Sequence, residues 1–424
     1  MKRLRVLISS HEFSPEQGSE CAVGWNICTG LAKYHDVTVL CADGAPLWKD
    51  SYRDAVKRYF KHHGRINGLR VVFVEQPPQT LNYERLNQRL MKRIGGIGWQ
   101  LLYYLGLDHW HRAALRKAQE IGIESFDVFH QLTPISFLRP GYLWTTGRPF
   151  FLGPVGGMFK VPAAFARSGG IKSHLFETLR SFNIDRRIRS ENFRAIVTTA
   201  KRIWTVTEVE RRIIEGISEG KAMPMVDTPP PKEIAGRVRK YDGREVLRLC
   251  WSGSHVHYKA LPLLVHAIAS LPDRDRVALD VLGKGPEEQK WKGIVRALGL
   301  TNITWHGRLP YAEALKTMDR SHVFIHTSYR EAASMVVLEA LGWGLPVICH
   351  DACGMAVAVN ETCGIKVPFL SPRHSIEGFR NAIKSFLLNP AQVEQLSEGA
   401  LRRASELSWD AKVREISEAY CLFI

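Results

Sequence analysis

Between Met223 and Lys240 the chain reads MPMVDTPPPKEIAGRVRK. Each proline lacks a backbone N–H and fixes φ, so a helix interior cannot run through this stretch. It therefore reads as an interdomain linker or surface loop. The 424 residues divide accordingly into a block at 1–222, a linker at 223–244, a second block at 245–408 and a terminal segment at 409–424. Either block is of domain size, large enough to bury a core without disulfide or metal staples.

Both blocks carry the same alternation. In the first, Leu4–Ser9 reads as a strand, His11–Gly18 as a loop, Ser19–Ala32 as a helix with Cys21, Trp25, Cys28 and Leu31 on one face, and Val37–Cys41 as the next strand. Further strands fit Val71–Val74, Val128–His130, Phe150–Leu152 and Arg202–Val206. After the linker the pattern restarts with strands at Leu247–Trp251, Val277–Leu282, Ile303–Trp305, Val323–His326 and Pro346–Cys349. Helices fit Leu261–Leu271, Glu287–Leu298, Tyr311–Asp319 and Met335–Gly342, and a final amphipathic helix fits Asp410–Tyr420. Repeated β-α alternation predicts an α/β protein of two doubly wound, Rossmann-like domains. Such sheets bind ligands beyond the carboxyl ends of their strands, so the expected site is a central cleft between the domains.

The stretch Ser328–Ile348 carries the most chemistry. Glu331 falls in the loop after a strand, and Glu339 eight residues later in the following helix. That helix begins near Ala333, Ser334 and Met335, where free N–H groups and the helix dipole favour a phosphate. A carboxylate on either side suits hydroxyl-rich ligands. Here the chain resembles the retaining glycosyltransferases of the GT-B fold that carry an E-x7-E signature, including polysaccharide- and lipopolysaccharide-assembly members. In that family the first Glu meets the donor sugar and the second the nucleotide ribose, which assigns Glu331 and Glu339. Gly344-Leu345-Pro346-Val347 matches the family's G-x-P-V strand entry.

The resemblance extends through both blocks. Lys259, in Ser252-Gly-Ser-His-Val-His-Tyr-Lys259, matches the family's diphosphate-binding lysine, while Ser254 stands where the family has arginine. Leu282–Glu287 resembles a G-x-G-P-E turn, and His306–Pro310 the segment beside the nucleobase. Gly18 lies in a loop resembling the family's glycine loop, where a glycine permits close approach to the donor. His130 ends a D-V-x-H strand. Since no histidine stands in Gly153-Pro154-Val155, His130 is the candidate on the acceptor side. The implied catalytic set is Glu331, Lys259 and His130. The implied donor-binding set is Gly18, Ser254, Lys259, Glu331, Ala333, Ser334, Met335 and Glu339. The implied partners are a UDP- or GDP-sugar and a saccharide or lipid-linked saccharide acceptor.

No cofactor and no metal are expected. Cys349, Cys353 and Cys363 lack the tight pairing of a structural zinc site, and Asp273-Arg-Asp275 falls in a polar turn. The formal charge of +16 attracts nucleic acid, anionic lipid or phosphorylated substrates alike. No RNA- or DNA-binding module accompanies it, so no nucleic-acid partner is expected. An inactive donor-binding protein and a basic nucleic-acid binder remain the alternatives. Residues 85–117 mix Arg85, Arg89, Lys92, Arg93, Arg112, Arg116 and Lys117 with Trp99, Leu101, Leu102, Tyr103, Tyr104 and Trp110, a composition suited to an anionic membrane surface. Arg186, Arg187, Arg189, Arg194, Lys201 and Arg202 form a second basic group. With too short an apolar run at Val6–Ile8 for a signal peptide, a cytoplasmic location is expected, with peripheral contact on the inner membrane face.

Overall fold

The computed structural model describes residues 2–18, 20–44, 51–93, 100–168, 170–228, 236–331 and 334–424. Ser19, Trp99, Ala333 and the Pro229–Pro231 run lie outside them, as do the Lys92 and Arg93 side chains.

The first sheet contains β1 (Arg5–Ser10), β2 (Asp36–Ala42), β3 (Leu69–Val74), β4 (Val128–Thr133), β5 (Phe150–Val155), β6 (Ala200–Thr205) and β7 (Ala222–Pro224). Its order is β3-β2-β1-β4-β5-β6-β7, every pair parallel. β1 and β4 are buried along nearly their whole length, as expected for strands covered by helices on both faces. The second sheet contains β8 (Leu247–Ser252), β9 (Val277–Leu282), β10 (Ile303–Gly307), β11 (Val323–His326), β12 (Val347–His350) and β13 (Gly364–Val367). Its order, β10-β9-β8-β11-β12-β13, is parallel throughout. Winding reverses between β1 and β4 and between β8 and β11. The loops after those strands therefore open onto crevices.

The linker starts later than its composition suggests. Ala222–Pro224 is an edge strand paired with Ile203–Thr205, a place that tolerates proline because its outer side donates to no neighbour.

Two further connections join the halves. The terminal helix Trp409–Phe423 leaves the second domain and packs on helix Glu20–Leu31 of the first. Val413, Ile416 and Tyr420 enter the core around β1 and β2. The other connection is the segment after β5. Phe165 sits in the second domain's core, its ring 4.3 Å from Phe369 and 5.4 Å from Tyr329.

The aromatic face of residues 100–120 also departs from expectation. Trp110 is fully buried and donates to Val74 O at 3.3 Å, and Tyr103 donates to Glu12 Oε1 at 2.7 Å. These rings cover the first sheet, while Leu101 stands well exposed. The membrane case from this helix loses its apolar half, because a period-3.6 face serves a core as well as a bilayer. No helix among the described residues is long and apolar enough to cross a membrane.

Candidate functional site

β8 and β11 are neighbours at the switch of the second sheet, and the loops that follow them are bound together. Trp251 Nε1 donates to Thr327 Oγ1 at 2.9 Å, and Thr327 Oγ1 donates to the Lys259 carbonyl at 2.6 Å. Tyr329 N donates to the Tyr258 carbonyl at 3.1 Å. Ala260 then turns the chain into the next helix with φ of 49°, a left-handed conformation uncommon for a residue with a Cβ. The result is an ion pair between Lys259 Nζ and Glu331 Oε1. Both side chains are 15% exposed.

His326, fully buried at the end of β11, supports the pair. Its Nε2 lies 3.6 Å from Glu331 Oε1 and 3.1 Å from Ser334 Oγ. Burial pushes the Glu331 carboxyl up, but His326 and Lys259 outweigh it and hold the group below the usual carboxylate range. Glu331 is thus an ionised acceptor. Ser334 stands at the N-cap of helix Met335–Gly342 without capping it by its side chain, so the first-turn N–H groups lack a side-chain acceptor. Met335 is exposed beside it. Glu339 lies one turn inside, accepts from Tyr311 OH at 3.1 Å, and is shifted upward by burial.

The loop carrying Ser254 is pinned by the turn after β9. His255 N donates to Lys284 O at 3.0 Å, and a Cβ on Gly283 would lie 1.9 Å from Gly253 O. That contact, with φ of 114° at Gly283, requires glycine. Ser254 itself is exposed and brings no charge.

A cleft of ≈ 850 Å³ separates the domains. Its first-domain wall comes from the loops after β4, β5 and β6, including Ile135, Gly156, Gly157 and Thr207. Arg330 and Glu331 face them from the second domain. Among the described residues no cluster of three His, Cys, Asp or Glu could hold a metal ion.

Two expected residues stand elsewhere. His130 is fully buried, with Nδ1 2.5 Å from Tyr420 OH and Nε2 2.7 Å from Gly153 O. Both ring nitrogens are occupied and Trp204 lies over the ring at 5.3 Å. The catalytic role assigned to His130 is corrected to a structural one. The end of a strand marks a position along the sheet, but not which face a side chain takes. Gly18 is exposed, and a Cβ there would meet nothing within 4 Å. The crowded glycine is Gly24, whose Cβ would lie 2.3 Å from Glu12 O. The structure adds His326, Tyr311 and Arg330, which motif matching passes over. Arg330 was visible as the neighbour of Glu331, and His326 as the polar end of an apolar strand.

Two parallel, doubly wound sheets facing a cleft define the GT-B class. Residues 240–403 match the family model described as glycosyl transferases group 1. D-inositol 3-phosphate glycosyltransferase of Streptomyces griseus subsp. griseus is 26% identical over 202 residues, 45% of this chain and 42% of that one. Lipopolysaccharide glucosyltransferase WaaG of Escherichia coli is 32% identical over 149 residues, 34% of this chain and 38% of that one. The matches thus span about half, or less, of the length of these relatives. The fold resembles the lipopolysaccharide outer core galactosyltransferase WaaB in its apo form, with a TM-score of 0.63 at 13% identity over 99% of this chain and 100% of that one. Sucrose-phosphate synthase from Thermosynechococcus elongatus gives 0.58 at 16% identity over 99% of each.

Proposed function

We propose that the protein is a retaining glycosyltransferase moving a sugar from a UDP- or GDP-sugar to an acceptor hydroxyl, in assembly of a cell-surface polysaccharide or glycolipid. The observation that carries this reading is the Lys259–Glu331 pair beside the uncapped start of helix Met335–Gly342. A donor diphosphate at that helix start competes for Lys259. Once Lys259 turns to phosphate, Glu331 is released to accept the hydroxyls of the donor hexose. Glu339 meets the ribose in place of Tyr311. Catalysis rests on stabilising the departing diphosphate with the ammonium and the first-turn N–H groups, preorganised in a cleft that limits water. The acceptor proton passes to the leaving phosphate oxygen, so neither a metal nor a dedicated base is needed. The relatives named for lipopolysaccharide synthesis support the pathway class.

Ser254, uncharged where the resembled family has arginine, favours a second reading, a donor-binding protein without turnover. Thermal shifts with UDP, GDP, ADP and their sugars separate these cases. One nucleotide should raise the melting temperature, and its sugar should be hydrolysed slowly, giving a released sugar whose anomer NMR reports as retained. Lys259→Ala and Glu331→Ala should each cut that hydrolysis by about 10²-fold. No shift with any nucleotide would discard donor binding. A shift without turnover would select the second reading.

A further inference from the structure

The cleft wall opposite the proposed donor site is helix Ile171–Ile188. Arg180 of this helix and Arg330 of the second domain approach one buried carboxylate from two sides. Arg180 Nη1 lies 3.5 Å from Glu177 Oε2, and Arg330 Nη1 lies 3.5 Å from Glu177 Oε1. Both separations are long for charge-assisted hydrogen bonds. Arg330, 42% exposed, also lies over Phe176 at 5.4 Å. Two guanidiniums thus share one loosely held anion; Arg180 Nη1 also donates to Phe159 O at 2.9 Å, and Arg330 directly precedes Glu331 in the chain. Burial lowers the Arg180 guanidinium and Arg330 adds to that, against Glu177.

The same helix leaves Ile171, Leu175, Phe176, Leu179 and Phe182 exposed. Their spacing puts them on one helical face. Leu101, Phe176 and Leu179 line the cleft itself. Beside Arg180 and Asn183, this helix gives the cleft Phe176, Leu179 and Ile184, a surface that fits a hydrocarbon chain.

We propose that this wall receives an amphiphilic acceptor, with a phosphate between Arg180 and Arg330 and a hydrocarbon chain along Leu101, Phe176 and Leu179 and out over the exposed helix face. A planar guanidinium pair suits phosphate oxygens bidentately, and the chain's positive charge complements the anion. Binding draws Arg330 off Glu177 and fixes the loop that carries Glu331. The proposal rests on the cleft being the acceptor cleft of a glycosyltransferase.

The test begins by saturating the protein with the nucleoside diphosphate that stabilises it, which occupies Lys259. Failure at this step counts against the donor reading alone. Dodecyl phosphate below its micellar concentration, dodecyl maltoside and glycerol phosphate are then titrated calorimetrically. Dodecyl phosphate should bind about tenfold or more tighter than either of the others. Arg180→Gln and Arg330→Gln should each weaken it about tenfold or more, the loss expected for a hydrogen bond to a charged group, while Arg180→Gln, on the opposite wall, leaves nucleotide affinity unchanged. Phe182→Ser, at an exposed position, should weaken dodecyl phosphate without affecting glycerol phosphate. Equal affinity for dodecyl maltoside, equal affinity for glycerol phosphate, or binding indifferent to both arginine substitutions would each overturn the proposal.

Discussion

His130 shows how one residue's surroundings decide its role. Its two hydrogen bonds, to Gly153 O and Tyr420 OH, tie the first sheet to the terminal helix. His130→Leu leaves both partners unpaired and should cost about 1–3 kcal/mol in urea unfolding. Donor hydrolysis should stay within a few-fold of wild type. A 10²-fold fall with unchanged stability would restore a catalytic role. Burial also holds His130 and His350 at about 4 and His111 at about 3, against an ordinary 6.5. Above 6.5 the folded and unfolded chains are both neutral at these rings. As pH falls from 6.5 toward 5, the unfolded chain takes up protons that the folded one refuses, and stability declines. Urea midpoints at pH 7, 6 and 5 should fall steadily, and less steeply in His130→Leu. Identical midpoints would contradict the burial argument.

At the scale of elements, the contact between helices Glu20–Leu31 and Trp409–Phe423 depends on Gly30. A Cβ at Gly30 would lie 2.5 Å from Val413 Cγ2. Gly30→Ala should therefore lose about 1–3 kcal/mol through overpacking. Val413→Ala on that background should recover part of the loss, a coupling read by a double-mutant cycle. Strict additivity would show that the helices can shift apart. The helices Tyr311–Asp319 and Met335–Gly342 and the strands Val277–Leu282 and Val323–His326 have the bounds that periodicity and turn residues predict. Their legibility has a local cause: Pro310 before one helix, Gly342 and Gly344 closing another, and unbroken apolar strands. Strand β7 was illegible because three residues with a proline carry no period. The helix Ile171–Ile188 was illegible because Ile171, Leu175, Phe176, Leu179 and Phe182 face outward, against the usual rule, leaving Ile184 as its buried apolar contact.

For the whole molecule, the domains are coupled through Phe165, whose ring lies among Phe369, Tyr329 and His350. Tyr329 directly precedes Arg330 and Glu331, so this anchor reaches the candidate site. Phe165→Ala should cost about 3–5 kcal/mol. Calorimetry should then show the second domain melting below the first, and nucleotide affinity should weaken. A single unshifted transition would mean that the terminal helix alone couples the halves. Most of the second domain's part of the candidate site was legible, because Glu331, Lys259, Ser334 and Glu339 sit in short stretches with fixed spacing. The facing wall and Arg330 were less so, because Ile135, Thr207, Arg180 and Arg330 come from four separate segments.

Sequence alone determined the class of fold and the location of the crevice. Strand and helix periods are local, and a parallel sheet leaves its ligand loops in one place only. It also determined which carboxylates and which lysine would stand near the start of helix Met335–Gly342. Tertiary structure alone decided that Glu331 is paired with Lys259, that His130 faces the core and that Trp110 is buried with Tyr103 and Tyr104 packed beside it. Each of these depends on which face of an element meets which neighbour, across 72 residues for Lys259 and Glu331 and 290 for His130 and Tyr420. No local pattern encodes a contact at that separation.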